Sequence, residues 1–269
     1  MINYDCLASK YKALGIEVPT KEMIKTEEQI LGIKKAGIIN TAILDYISDF
    51  IKSGISTEEI NTLVHNKTIE LGGIPAPLGY EGFPKSVCTS INDEVCHGIP
   101  SSDRILCDGD IINVDVTTIY NGYYADASRT FLVGECSSEA KRLVKVCKEC
   151  LDLAVSSIKP YSRLRDIGYI IERHAKKNGF TVVHEIGGHG VGVDFHEDPF
   201  IYHYGRKNTG MVLFPGMIFT IEPMINEYSR HVFLDALNNW TIYTDDGGLS
   251  AQFEYTVLVT EDGIEILSH

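Results

Sequence analysis

Residues 111–131 read IINVDVTTIYNGYYADASRTF. Two runs of β-branched and aromatic residues flank Asn121-Gly122, a pair that takes up positive φ readily and so suits a two-residue hairpin loop. Strands are predicted over 111–119 and 123–131. With Asn121 and Gly122 as the loop, Tyr120 faces Tyr123, and counting outward sets Thr117 opposite Asp126. Asp115 lies two residues from Thr117, so the pleat sends it to the same face as Asp126. Diagonal neighbours of this kind have Cα atoms ~7–8 Å apart. Two carboxylates so placed can converge on one cation or bridge two. Without a cation they repel, and one pKa rises.

Other stretches repeat the theme. In IFTIEP (218–223), Thr220 and Glu222 alternate with Phe219 and Ile221; in QFEYTVLV (252–259), Gln252, Glu254 and Thr256 alternate with Phe253, Tyr255 and Val257. His189 stands in Gly187-Gly188-His189-Gly190-Val191-Gly192, whose small residues are read as leaving room for a metal and a substrate. A single Asp or Glu in such a run can be a solvated strand end. Four carboxylates and one imidazole among Val, Ile, Phe and Tyr call for a shared compensating charge. Asp115, Asp126, His189, Glu222 and Glu254 are therefore the candidate ligands of two divalent ions. Four oxygen donors and one nitrogen suit Mn, Fe(II), Co or Zn in a dinuclear site better than one structural zinc. Two ions ~3.5–4 Å apart activate a bridging water and polarise a carbonyl, so the chemistry implied is hydrolysis. His196 and His97 are further candidates, although a lone His is as often a hydrogen-bonded structural residue.

Helices are expected on either side of the hairpin. Thr26-Glu27-Glu28-Gln29 fits a capping box, with a core face through Ile30, Ile33, Leu44, Ile47 and Ile51. Ser56 caps a second helix that ends at Gly72-Gly73, and further helices run over 138–158 and 164–177. Strands follow at 181–185, 218–222, 240–243, 253–259 and 264–267. Two helices then strands, twice over, predicts an α+β fold with a duplicated plan. The expected organisation is a weakly patterned surface extension over 1–25 and one catalytic domain over 26–269.

The chain has 269 residues, 44% of them hydrophobic, and a formal net charge of −13. That charge argues against nucleic acid as a partner, which wants a basic face. No apolar run approaches the ~18 residues of a membrane span, and the N-terminus lacks a signal-peptide apolar region. A cytoplasmic monomer is the expectation. The seven cysteines read as free thiols. Cys147 and Cys150 share a 4-3-4 spacing with Leu143 and Ala154, which favours core packing over a redox or zinc motif.

Several of these segments resemble the type I methionine aminopeptidases. They are Gly79-Tyr80-Glu81-Gly82-Phe83-Pro84-Lys85-Ser86-Val87-Cys88, Cys96-His97-Gly98-Ile99-Pro100, Gly187-Gly188-His189-Gly190 with Phe195-His196-Glu197, Thr220-Ile221-Glu222-Pro223-Met224, and Ser250-Ala251-Gln252-Phe253-Glu254. The resemblance covers residue 26 to the C-terminus. It implies a pita-bread fold, a curved antiparallel sheet backed by two pairs of helices. It implies excision of the initiator methionine from nascent polypeptides, at or away from the ribosome, whose second residue is small (Gly, Ala, Ser, Thr, Cys, Pro or Val). By that similarity Asp115 chelates one ion, His189 the other, and Asp126 and Glu254 bridge both. Glu222 ligates and shuttles a proton, His97 contacts the substrate near the scissile amide, and His196 stabilises the oxyanion. Tyr80, Phe83, Cys88, Phe195 and Trp240 resemble the lining of the methionine side-chain pocket. Phe83 stands where many relatives have Tyr, and Pro77 where many have Cys. An X-Pro peptidase and a catalytically silent binding module of the same fold are the alternatives.

Overall fold

The computed structural model describes residues 4–269. Five helices are present among them: α1 (Tyr4–Ala13), α2 (Glu27–Ser48), α3 (Thr57–Glu70), α4 (Ser138–Ser157) and α5 (Arg165–Lys177). Thr26 and Ser56 both close full capping boxes, with Gln29 and Glu59 as the reciprocal partners. Each box satisfies two backbone N–H groups that the helix start would otherwise leave unpaired.

The hairpin pairs as the turn dictates. Strands Ile111–Tyr120 and Tyr123–Leu132 are antiparallel, with Tyr120 opposite Tyr123 and Thr117 opposite Asp126. Asn121 (φ 50°) and Gly122 (φ 81°) are both left-handed, the conformation whose twist matches the flanking strands. Among the described residues this hairpin belongs to a nine-stranded antiparallel sheet. Its order runs Ile74–Pro75, Ile111–Tyr120, Tyr123–Leu132, Glu254–Val259, Ile218–Ile221, Gly188–Gly190 and Glu197–Ile201. Cys88–Ile91 also pairs with the first hairpin strand, and Ile264–Ser268 with Glu254–Val259. The sheet curls into the half-barrel of the pita-bread fold.

One face of the sheet is apolar. Val114, Val116 and Ala127 meet Ile43, Leu44 and Ile47 of α2 and Ile60 and Val64 of α3. Phe219, Ile221, Tyr255 and Val257 meet α4 and α5 in a second, larger core. Cys147 and Cys150 lie fully inside that second core, and the Cys147 thiol donates to the carbonyls of Pro223 (3.3 Å) and Ala251 (3.2 Å). Burial pushes both thiols up, that of Cys150 to about 12, so they are inert packing residues.

The N-terminal segment departs from expectation. Residues 1–3 lie outside the described residues. Within the segment, Tyr4–Ala13 forms helix α1, which packs on the second core with Tyr4 and Tyr11 against Phe214 at ring distances of 6.2 and 5.7 Å. Tyr4, Leu7, Ala8 and Tyr11 follow the i, i+3, i+4, i+7 spacing of an amphipathic helix. That stripe was legible, and it makes the segment part of the folded unit. Two further strands, Gly188–Gly190 and Glu197–Ile201, are also absent from the sequence-based expectation.

Candidate metal centre

The register lines up the polar face. Asp115 stands opposite Ser128, and Ser128 opposite Glu254. One pleat further along, Thr117 faces Asp126, and Thr256 faces Thr220. Period-two alternation then sends Asp115, Asp126, Glu222 and Glu254 to the side away from the helices. Gly190 pairs with Phe219 on the next strand, which brings His189 beside them.

The five candidate ligands converge. Asp126, His189 and Glu254 offer atoms within 4.8 Å of one another. The Nε2 of His189 is 3.8 Å from Asp126 Oδ2 and 3.7 Å from Glu222 Oε1. His189 Nδ1 lies 2.9 Å from the carbonyl of Gly190. A carbonyl only accepts, so Nδ1 carries the ring hydrogen and the Nε2 lone pair faces the carboxylates. The hydroxyl of Thr117 donates to Asp126 Oδ1 at 2.8 Å, and that of Thr220 to Glu222 Oε1 at 2.7 Å. The Gln252 amide donates to Glu222 Oε2 at 3.2 Å. These hold the carboxylates in place but do not neutralise them.

The buried carboxyls need a proton or a cation to offset their charge. Burial pushes the carboxyl of Asp115 up to about 7 and that of Glu222 to about 8. Burial and mutual repulsion drive Asp126 and Glu254 well above the usual carboxylate range. Asp115 Oδ1 is buried with no hydrogen-bond partner. An orphaned carboxylate oxygen beside three more carboxyls and an open imidazole nitrogen is a donor set suited to divalent metal. The residues present fit divalent ions.

The glycines around His189 serve a different purpose from the one expected. A Cβ on Gly190 would lie 2.2 Å from the Asp198 carbonyl oxygen, and one on Gly188 2.5 Å from that of Thr220. They let three strands approach closely, which fixes the histidine from behind.

A cavity of about 700 Å³ opens over this cluster. All the residues predicted for the site border it: the five ligands, His97, His196, Tyr80, Phe83, Cys88, Phe195 and Trp240. Phe83 packs edge-on to Trp240 at 5.1 Å, and His97 does so at 6.3 Å, so one wall is apolar and aromatic. Pro77 joins the lining at the position that departs from many relatives. His196 sits 4.3 Å ring to ring from His189, stacks on Phe195, and places Nδ1 2.8 Å from the Tyr80 hydroxyl. Burial lowers His97 to about 4 and keeps it neutral.

Two supporting residues, His203 and Lys25, carry no signal in the sequence. His203 is fully buried, and its Nε2 accepts the Glu222 backbone N–H at 3.2 Å. Lys25 forms a buried ion pair with Glu197, whose other oxygen accepts the N–H groups of Val193 (2.7 Å) and Asp194 (3.0 Å). These contacts join segments distant in sequence, and nothing local announces them.

Comparison with known proteins agrees with this geometry. The model of metallopeptidase family M24 matches residues 32–261. Methionine aminopeptidase A of Synechocystis sp. is 51% identical over 244 residues, covering 90% of this chain and 96% of that protein. The crystal structure of methionine aminopeptidase from Rickettsia prowazekii superposes with a TM-score of 0.90 at 45% identity, covering 91% of this chain and 99% of that one. An X-Pro aminopeptidase from Thermotoga maritima is more distant, with a TM-score of 0.70 at 25% identity and only 62% of its length covered. A buried carboxylate–histidine cluster on a curled antiparallel sheet, matched over nine-tenths of the chain, places the protein in metallopeptidase family M24 as a type I methionine aminopeptidase.

Proposed function

We propose that the chain hydrolyses the first peptide bond of polypeptides that begin with methionine and carry a small second residue, using two divalent ions held by Asp115, Asp126, His189, Glu222 and Glu254. The observation that carries this reading is the convergence of four buried carboxyls and one open imidazole nitrogen beside an aromatic-walled cavity. By the family resemblance, Asp115 would serve one ion and His189 the other, with Asp126 and Glu254 shared between them. When bound, the ions lower the pKa of a coordinated water and polarise the scissile carbonyl. Mn, Fe(II), Co and Zn all suit the donor set.

The protein's own groups supply the rest. Glu222, positioned by Thr220, Gln252 and His203, takes the proton of the attacking water and passes it to the leaving amine. The Tyr80 phenol lies 2.8 Å from His196 Nδ1, and burial raises its pKa; we assign it as the donor in this pair. The proton on His196 then resides at Nε2, where it can donate to the oxyanion. His97, also in the cavity lining, contacts the substrate amide as a neutral donor. The wall of Phe83, Cys88, Phe195 and Trp240 accepts a thioether side chain, which is apolar and polarisable.

The test is hydrolysis of Met-Ala-Ser against Met-Lys-Ser by protein incubated with Mn or Co. Efficient release of methionine from the first peptide alone is expected. Equal turnover of both, or turnover of Ala-Pro peptides in preference, would overturn the assignment.

A further inference from the structure

A second cavity accompanies the cleft over the carboxylates. A groove of about 870 Å³ lies beside it, and the two share Asp198 and Phe200. Both residues belong to Glu197–Ile201, the terminal strand of the main sheet. Asp198, Pro199 and Phe200 border the groove in succession, although their side chains alternate in direction. The strand therefore offers the groove its edge rather than one face. No further strand lies beside this edge among the described residues, and Pro199 at its centre has no N–H to donate, so an extended chain laid here would be held by surface contact and not by a continuous strand ladder.

The floor continues in an aromatic ladder. Phe200 meets Tyr202 at 4.6 Å, Tyr202 meets Tyr204 at 5.7 Å, and the Arg165 guanidinium lies 3.4 Å over the Tyr202 ring. That stack locks the rings, so a ligand laid over them orders little side-chain freedom. Arg165 and Arg206 line the groove together with Glu17, Glu172 and Asp198. Mixed charge beside aromatic surface suits a polypeptide of no fixed sequence and excludes a phosphate-rich ligand.

We propose that this groove is an extended substrate subsite: the polypeptide whose N-terminal methionine occupies the cleft passes over Phe200 and lays its downstream residues along Glu197–Ile201 and the Tyr202–Tyr204 ladder. The inference rests on the aminopeptidase reading above and deepens it. The occupant is the substrate chain itself, because the groove is continuous with the cleft through two shared residues. Five strand residues span ~17 Å, so about five substrate residues beyond the second would be held.

The experiment compares kcat/KM for Met-Ala-Ser with that for an unstructured ten-residue peptide beginning Met-Ala-Ser. The long peptide is expected to be favoured by a KM roughly tenfold lower. Arg206→Glu and, independently, Thr209→Trp alter the exposed far rim of the groove, away from the cleft. Each is expected to remove the preference for length while leaving Met-Ala-Ser turnover unchanged. Failure to cleave either peptide would sink the aminopeptidase reading. Cleavage of both without a length effect in the wild type, or a length effect that survives both variants, would sink the groove alone.

Discussion

The Lys25 ammonium is buried against the Glu197 carboxylate, 172 residues away in sequence. Glu197 in turn holds the backbone of Val193 and Asp194, so the turn carrying Phe195 and His196 is tied to the N-terminal segment through one ion pair. Lys25 itself is anchored, its N–H bonded to the Gly216 carbonyl at 2.9 Å. Breaking a buried pair by removing one partner strands the other charge, at a cost of about 3–5 kcal/mol. Lys25→Met is therefore expected to lower the denaturation midpoint and to raise KM for Met-Ala-Ser. Metal affinity, measured by titration calorimetry, is expected to change little because no ligand moves.

Asp126 is a test of the ion assignment itself. Asp126→Asn keeps the shape and the Thr117 contact but removes a charge that lies within 4.8 Å of both His189 and Glu254. Changes one step further from a metal typically cost 10–100-fold, so a ligand change is expected to lower Mn or Co affinity by more than about 100-fold. Calorimetry reads this directly. Unaltered affinity would dismiss Asp126 as a ligand.

His203 gives a prediction about Glu222. Its Nε2 accepts the Glu222 N–H, and its own Nδ1 has no partner despite burial. Burial lowers the imidazole to about 3, which keeps Nε2 free to accept. His203→Leu leaves the Glu222 N–H unpaired, a penalty of about 1–3 kcal/mol. The expected result is a fall in kcat that exceeds any change in KM, together with a lower unfolding midpoint.

Stability of the metal-free protein is expected to fall as pH rises from about 6.5 to 8. Asp115 (about 7) and Glu222 (about 8) hold protons when folded that the unfolded chain has released at ordinary carboxyl values. The folded state then binds more protons than the unfolded one, so raising the pH favours unfolding, by ~1.4 kcal/mol per pH unit for each full proton. The buried imidazoles His97, His189 and His203 act oppositely, since they are neutral when folded. Their contribution grows with pH only up to about 6.5, where the unfolded histidines have lost their protons. Above that value the carboxyls dominate. Thermal unfolding with and without Mn checks it: added metal should abolish the decline.

How much of this was legible in sequence follows from where each constraint is local. The hairpin register was readable because a two-residue turn counts the pairs outward, so Asp115 and Asp126 could be set on one face from the chain alone. Alternation in IFTIEP and QFEYTV did the same for Glu222 and Glu254. The strands around His189 were not readable, since a glycine run carries no period and its reason is the close approach of neighbouring backbones. The α1 stripe of Tyr4, Leu7, Ala8 and Tyr11 is local and therefore legible in the sequence. Lys25 with Glu197, and His203 with Glu222, are pairings that only the folded topology creates.

The left-handed pair Asn121 and Gly122 sits exposed at the hairpin tip and borders no part of the cavity lining. Every ligand on those two strands is nevertheless phased from that tip. One extra residue inserted there would advance one strand by a single step, turning Asp126 toward the helices and a neighbouring alanine toward the cleft. Surface loops generally absorb insertions; this one sets the reading frame of a metal centre and cannot.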